Sequence, residues 1–347
     1  SAGGDDGYRV LVDGEELIEQ WSGHPFRQKE GYKEFKGGRT YRIAYEHFDG
    51  GSEQETMFRY ADYLNDPAFI EAVRTADAVV VCVGYDWYLE SESWDRPFAL
   101  PEGHLRCLET ILEHTDKAVV VINSGGGVEM APWIDRTGGV LMAWYQGQQG
   151  GDAIAELLTG KISPSGKLPF TLEKRWEDNP VYDNYYPNTD QVKEDNPYKR
   201  VEYNEGVFVG YRGYERNGVE PLFPFGFGLS YTTFDYSGLK AEAAGDGEFI
   251  VSFDVTNTGR YDAAEVAQLY VGDVESSVVR PAKELKGYEK IFLKRGETRR
   301  VELRLDEEAF RHYDCIRRDF VVEPGDFDLF VGTSSQDIRL KTRINVK

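Results

Sequence analysis

Three uninterrupted apolar runs constrain the fold of this chain more than any other feature. They occupy residues 78–84, 118–122 and 139–144. A strand that is buried on both faces shows such a continuous hydrophobic run, which is typical of a parallel sheet with helices on either side. Helix-like periodicity lies between and around the runs, in residues 67–73, 105–113 and 152–158. The sequence therefore predicts an α/β domain whose parallel sheet is covered on both faces.

The regions on either side of this α/β segment have β-patterns. Residues 1 to about 60 alternate short apolar–polar runs with turns such as Asp13-Gly14, which is a hairpin signal, and they look like part of a sandwich. From residue 232 onward, roughly seven short strands separated by Gly and Pro predict an immunoglobulin-like β-sandwich. Residues 176–205 are rich in Asn, Asp, Pro and Tyr, which predicts a long loop. We therefore predict three domains, over residues 1–60, 61–231 and 232–347.

The charge of the chain argues against several classes of partner. Forty basic residues stand against 61 acidic ones, for a net charge of -21. Nucleic acid and anionic membrane surfaces both require a basic protein surface, so we expect neither as a partner. No apolar run approaches the ~18 residues of a membrane-spanning helix. A soluble protein whose substrate is neutral or a cation is expected, and the choice between a cytoplasmic and a periplasmic or secreted location stays open.

No metal or cofactor site is predicted. Cys82, Cys107 and Cys315 are widely spaced and form no C-x-x-C pair, so neither a disulfide framework nor a zinc site is indicated. Two of the cysteines lie in apolar patterns and are expected to pack as small hydrophobes. Residues 124–127 form an S-G-G-G run, but no G-K-[ST] follows it to bind phosphate. The five histidines lack metal-ligand spacing.

The segment 89–96 is the strongest candidate for chemistry. It follows the first apolar run and contains three carboxylates, an arginine and a tryptophan within eight residues. Parallel sheets present reactive groups at the carboxyl ends of their strands. A carboxylic acid beside tryptophans can have its pKa raised by desolvation and then serve as a proton donor. The alternative is a solvated loop with a local Asp/Arg pair. The residues of this segment leave both interpretations open.

Four ordered segments resemble the motifs of one enzyme family. Residues 90–96 resemble an acid-loop motif, E-G-x-D-R, and residues 144–151 with 164–169 resemble W-x-x-G-Q-x-x-G … P-S-G-x-L-P. Residues 203–212 are similar to Y-x-E-G-x-x-V-G-Y-R, and residues 221–234 are similar to a linker into a fibronectin type III-like domain. These are motifs of glycoside hydrolase family 3, and the chain resembles the carboxy-terminal part of its β-glucosidases.

The opening residues carry a second resemblance. Residues 5–14 resemble the second half of the protective-antigen-type sandwich that is inserted into some β-glucosidases of this family. In sugar-binding relatives of that module an Asp-Asp pair can hold calcium. For Asp5 and Asp6 alone, a turn is the favoured interpretation.

The resemblance implies a retaining exo-β-glycosidase, in the first place a β-glucosidase, that acts on β-linked glucosides or oligosaccharides without a cofactor. In this family a (β/α)8 barrel supplies the nucleophilic aspartate, and the α/β domain supplies the acid/base loop. Nothing here matches the S-D-W or K-H motifs of the barrel. We therefore expect a second polypeptide or segment to carry the barrel, and this chain to be inactive alone. A β-xylosidase of the same family, a non-catalytic carbohydrate-binding or scaffold protein, and a homo-oligomeric state all stay open.

Matched residue by residue, the resemblance assigns the general acid/base to Glu92. Retaining hydrolysis needs two carboxyl groups about 5–5.5 Å apart across the glycosidic bond. Ser93 stands where the family has glycine, a residue that tolerates positive φ. Glu90 is therefore kept as a second candidate, since residues two apart in an extended loop point the same way.

The other residues of the loop receive supporting roles. Trp87, Tyr88 and Trp94 are candidates for stacking on a sugar at the aglycone side, although packing is the favoured interpretation for each of them. Asp95 and Arg96 are predicted to fix the loop through a charge-assisted hydrogen bond.

Overall fold

The computed structural model of the chain describes residues 1–4, 6–22, 27–48, 56–58, 64–86, 89–92, 96–185, 203–245 and 247–347. The chain divides into two compact units, residues 1–146 and residues 147–347. The predictions made for Asp5, Trp87, Tyr88, Trp94 and Asp95 lie outside the described residues. The three predicted domain ranges stay predictions.

The first unit begins with antiparallel sheets and continues into a parallel one. Its elements are β1 (Ala2–Gly4), β2 (Tyr8–Val12), β3 (Glu15–Gln20), β4 (Arg27–Lys29), β5 (Ile43–His47), β6 (Thr56–Phe58), α1 (Pro67–Thr75), β7 (Val79–Gly84), α2 (Glu102–Leu112), β8 (Ala118–Asn123) and β9 (Gly139–Met142). The antiparallel sheets have the strand orders β4–β1–β6 and β3–β2–β5. The predicted hairpin is confirmed, because β2 and β3 pair across Asp13 and Gly14, whose φ angles are 55° and 85°.

The parallel sheet is confirmed and has the strand order β7–β8–β9. Its middle strand β8 has an almost wholly buried apolar sequence, as the continuous run predicts. Helix α1 begins where the Asp66 carboxylate accepts a hydrogen bond from the Ala68 amide at 2.8 Å and Pro67 takes the first helical position. Strand β9 ends two residues earlier than predicted, because the backbone turns to a positive φ of 57° at Trp144.

Coverage of the sheet is incomplete at β7, which corrects the prediction that both faces are covered. Val81 and Val83 are buried, whereas Val80 is 49% exposed and Cys82 is also exposed. Successive side chains of a strand point to opposite faces, so Val80 and Cys82 share one face of β7, and the described part of the chain leaves that face exposed. Cys82 therefore does not pack as a small hydrophobe, and Cys107 is only half-buried.

Gly84 ends β7 at a point where the chain passes very close to β8. Its φ is 146°, and an added Cβ would lie 1.9 Å from the carbonyl oxygen of Asn123. We expect Gly84→Ala to lower the free energy of unfolding by at least about 2 kcal/mol, since both the backbone conformation and the space exclude a side chain. Urea unfolding measures the effect. Gly139→Ala is the control, because its Cβ would meet nothing within 4 Å. Equal losses in the two variants would contradict this expectation.

The second unit contains the predicted β-sandwich. Its elements are α3 (Gly150–Leu158), α4 (Tyr182–Tyr185), α5 (Tyr211–Asn217), β10 (Phe234–Gly245), β11 (Glu248–Asn257), β12 (Ala263–Asp273), β13 (Glu284–Leu293), β14 (Thr298–Leu305), β15 (His312–Asp314), β16 (Asp319–Val321), β17 (Gly325–Gly332) and β18 (Ile338–Val346). Antiparallel sheets of order β10–β11–β14 and β13–β12–β17–β18 enclose one apolar core. Its fully buried side chains include Phe253, Leu269, Phe310 and Phe327.

In the described part of the chain, the helices are too short or too polar to cross a membrane.

Candidate active site

The loops that follow the three parallel strands meet at one edge of the sheet. Parallel strands all point the same way, so the segments after β7, β8 and β9 emerge side by side. The segment after β7 is the one that the sequence analysis selected, and its described residues are 85–86, 89–92 and 96. The S-G-G-G run follows β8, and Tyr145 and Gln146 follow β9.

Glu90 joins all three of these loops through one carboxylate. Its Oε1 accepts a hydrogen bond from Nε of Arg96 at 3.0 Å, and the two side chains form an ion pair. Its Oε2 accepts a hydrogen bond from the amide of Gly125 at 3.1 Å and another from the hydroxyl of Tyr145. The partners thus come from the loops after β7, β8 and β9 respectively.

The surroundings of Glu90 favour its ionised form. Burial raises the pKa of this carboxyl, but the hydrogen bonds from Tyr145, Gly125 and Arg96 together outweigh that effect and hold the pKa below its usual value. Burial, followed by the hydrogen bond to Glu90, raises the pKa of Tyr145, so the phenol keeps the proton that it donates. Glu90 is accordingly a hydrogen-bonded carboxylate at neutral pH.

Arg96 is fixed by further contacts beyond Glu90. Its Nη2 donates to the carbonyl of Gly127 at 2.7 Å and its Nη1 donates to the carbonyl of Pro97 at 3.2 Å. The guanidinium carbon lies 4.3 Å from the centre of the Tyr85 ring. Tyr85 is itself buried, which raises its pKa to about 12, and its hydroxyl donates to the carbonyl of Ala99 at 2.8 Å. The guanidinium is therefore fixed by hydrogen bonds from its nitrogen atoms and by the Tyr85 ring that lies against it.

Glu92 differs from Glu90 in its surroundings. It lies between Glu90 and Arg96 along the chain, and its side chain is exposed. Within the described residues, Glu92 takes part in no hydrogen bond or ion pair. Of the two glutamates, Glu92 is therefore the one whose carboxyl group the described residues leave exposed. Of the residues that the sequence assigned to the site, the structure describes Glu90, Glu92 and Arg96, and it brings Glu90 and Arg96 into contact.

The site also contains Tyr145, Gly125 and Tyr85, which were not predicted from the sequence. Tyr145 and Gly125 come two or three residues after the ends of β9 and β8, so their position after a parallel strand was the available signal. Gln146 belongs to the same edge, since its side-chain amide donates to Oδ1 of Asn123 at 2.8 Å.

A cavity of about 360 Å³ lies beside the loop. Asp86 and Leu89 line it from the loop, and Glu30, Glu102 and His104 line it from elsewhere in the first unit. This mixture of carboxylate oxygens and apolar carbon suits a neutral polyhydroxylated molecule better than an anion. Among the described residues, no group of three or more His, Cys, Asp or Glu side chains is arranged to hold a metal ion.

Comparison with known proteins gives consistent matches. The profile of the glycosyl hydrolase family 3 C-terminal domain matches residues 20–211, and that of the fibronectin type III-like domain matches residues 265–335. Thermostable beta-glucosidase B of Acetivibrio thermocellus is 44% identical, over 80% of this chain and 36% of that protein. Exo-alpha-(1->6)-L-arabinopyranosidase of Bifidobacterium breve is 39% identical, over 79% of this chain and 36% of that protein.

A solved structure is similar over the whole chain. The β-glucosidase from Kluyveromyces marxianus in complex with glucose is 30% identical, with a TM-score of 0.79, over 100% of this chain and 42% of that one. This chain therefore spans less than half the length of each of these three relatives.

Proposed function

Because this chain belongs to glycosyl hydrolase family 3, as its motifs predicted, we propose that it supplies the general acid/base of a retaining β-glucosidase through Glu92. One observation carries the choice of residue. Glu90 is ionised and accepts hydrogen bonds on both oxygens, whereas Glu92 is exposed and lies between two anchored residues. Within the part of the chain that the structure describes, Glu92 is thus the carboxyl group better placed to meet a leaving group.

The proposed reaction has two steps. In the first, a carboxylate nucleophile attacks the anomeric carbon, the glycosidic C–O bond breaks, and Glu92 transfers its proton to the departing oxygen. In the second, the Glu92 carboxylate removes a proton from water, whose oxygen attacks the anomeric carbon and releases the nucleophile. We propose that the nucleophile is an aspartate of a barrel domain that this chain's motifs do not include.

The chemistry of the cavity supports a sugar as the ligand. It lies beside the acid loop and is lined by Asp86, Glu30 and Glu102, whose oxygens can accept hydrogen bonds from hydroxyl groups. Its volume of about 360 Å³ is in the range of small-molecule sites. Two of the three relatives are β-glucosidases, which supports glucose as the glycone. The name of the Bifidobacterium breve relative makes an arabinopyranoside the second candidate.

Hydrolysis of 4-nitrophenyl β-D-glucoside by the native preparation tests this proposal. We expect kcat/KM for the glucoside to exceed that for the xyloside by about tenfold or more, because the extra hydroxymethyl group adds contacts. Proton NMR should show β-glucose as the first product, since the reaction retains configuration. The denatured preparation should contain a second polypeptide or a longer chain that carries the barrel.

The alternatives give different results in the same assay. If the enzyme prefers the xyloside or the α-L-arabinopyranoside, the proposed glycone is wrong and the proposed mechanism is unaffected. If a preparation that contains the barrel hydrolyses none of the three glycosides, the proposed enzymatic function is rejected. A carbohydrate-binding or scaffold protein is then favoured. Release of α-glucose first would reject the retaining mechanism.

A further inference from the structure

We infer that Glu90 is a positioning residue, which together with Arg96 and Tyr145 holds the acid/base loop against the edge of the parallel sheet. This inference rests on the proposed role of Glu92. It assigns to Glu90 a function other than proton transfer, and it explains why two glutamates stand two residues apart in this segment.

The ion pair between Glu90 and Arg96 closes the loop that bears Glu92. The two charged groups are 3.0 Å apart, and their side chains are only 24% and 13% exposed. Residues 91–95 lie between them, so the pair ties both ends of a very short segment. The entry to this segment is also fixed, since the Glu90 amide donates to the Asp86 carbonyl at 2.9 Å. Glu92 lies two residues from Glu90 and four from Arg96, so fixing both of those residues restricts the positions that Glu92 can take.

The ion pair is also bonded to the loops that follow the other two strands of the sheet. The Gly125 amide donates a hydrogen bond to Glu90, and the Gly127 carbonyl accepts one from Arg96. The ion pair therefore contacts the loop after β8 at two points. Tyr145 adds a hydrogen bond from the loop after β9. The segment after β7 is thus tied to the loops that follow β8 and β9.

The S-G-G-G run fits this arrangement. A Cβ added at Gly125 would lie 3.0 Å from Oε1 of Glu90, and one added at Gly126 would lie 3.0 Å from Nη2 of Arg96. A side chain at either position would make an unfavourably close contact with the ion pair. The glycines that resemble a phosphate-binding loop in the sequence therefore make room for a carboxylate and a guanidinium.

Such an anchor affects the proton-transfer step more than other steps. An isolated exposed ion pair contributes little to stability, but this one is largely shielded and has additional charge-assisted hydrogen bonds. A general acid must lie within hydrogen-bond reach of the departing oxygen, and a displacement of about 1 Å can cost about 10²-fold in rate. Weakening the Glu90–Arg96 ion pair should therefore lower the rate of hydrolysis most for substrates whose leaving group needs a proton.

Glu90→Gln in the native enzyme tests this inference. The amide keeps an oxygen that can accept from Gly125 but loses the charge that pairs with Arg96. We expect kcat/KM for phenyl β-D-glucoside, whose leaving group needs protonation, to fall by about 10- to 100-fold. For 2,4-dinitrophenyl β-D-glucoside, which departs without a proton, the fall should be less than about threefold. Tyr145→Phe, which removes one hydrogen bond to Glu90, should show the same leaving-group dependence with a smaller loss.

The outcomes separate this inference from the proposal on which it rests. Glu46→Gln is the matched control, because it removes another arginine-paired carboxylate of the first unit, 2.6 Å from Arg9, and should leave both rates unchanged. Equal losses on both substrates in Glu90→Gln and Tyr145→Phe would overturn the positioning role and indicate general destabilisation. If Glu92→Ala itself lacks leaving-group dependence, the proposed function fails; if only the Glu90 and Tyr145 variants lack it, only the positioning role fails.

Discussion

Replacement of Glu92 by alanine is expected to lower kcat/KM for phenyl β-D-glucoside by about 10³-fold, the usual contribution of a positioned general acid. Phenoxide is a poor leaving group, so without a proton donor it must depart as an anion. For 2,4-dinitrophenyl β-D-glucoside, kcat/KM should change little, because dinitrophenoxide leaves without help. Steady-state kinetics of the native enzyme and the variant on both substrates measure the difference.

Azide supplies the second half of this experiment. In Glu92→Ala no general base activates water, so the glycosyl-enzyme intermediate should accumulate and kcat for the dinitrophenyl substrate should fall. Azide needs no deprotonation, and it should restore kcat and yield β-glucosyl azide. The control is Glu71→Ala, an exposed glutamate on α1, for which neither a rate loss nor an effect of azide is expected. An unchanged rate of phenyl glucoside hydrolysis in Glu92→Ala would remove Glu92 from the mechanism.

The fold was predictable wherever a local pattern determines burial. The run that became β8 is continuous because both faces of a central parallel strand are covered, and Asp13-Gly14 forms a hairpin because its backbone takes positive φ. The open face of β7 was not predictable in the same way. Val80 and Cys82 belong to an equally continuous apolar run, and a run records the residue types of a strand without recording which neighbours cover it.

The sequence identified the segment that carries the candidate site, but it did not distinguish the role of Glu90 from that of Glu92. Glu90 and Glu92 are two residues apart, so no periodicity separates them. The structure distinguishes them through partners that are distant in sequence, since Gly125 lies 35 residues from Glu90 and Tyr145 lies 55 residues from it. Gly125 has no side chain, and a tyrosine that follows a strand does not by itself indicate which carboxylate it contacts. The information came from the register of the parallel strands, which brings their following loops to one edge.

Replacement of Phe310 by alanine is expected to lower the free energy of unfolding of the second unit by about 4 kcal/mol. Phe310 is fully buried between the sheets of the sandwich, and its ring makes edge contacts with Phe249 and Phe327 at centroid distances of 5.8 and 5.1 Å. Truncation removes the buried ring and both aromatic contacts, and the paired sheets around it cannot close the resulting space. Urea unfolding gives the change in free energy, and amide hydrogen exchange in β11 and β17 locates it.

Phe292→Ala separates loss of the core from loss of a phenyl ring as such. Phe292 lies on β13 of the same sandwich, but its side chain is 54% exposed, so its removal should change the free energy of unfolding by no more than about 0.5–1 kcal/mol. The two variants delete the same atoms, and only the burial of those atoms differs. Similar losses in both would mean that Phe310 does not occupy the centre of the sandwich core. A large loss in Phe310→Ala, with slow exchange lost in β11 and β17 together, would instead show that both sheets depend on this one ring for their packing.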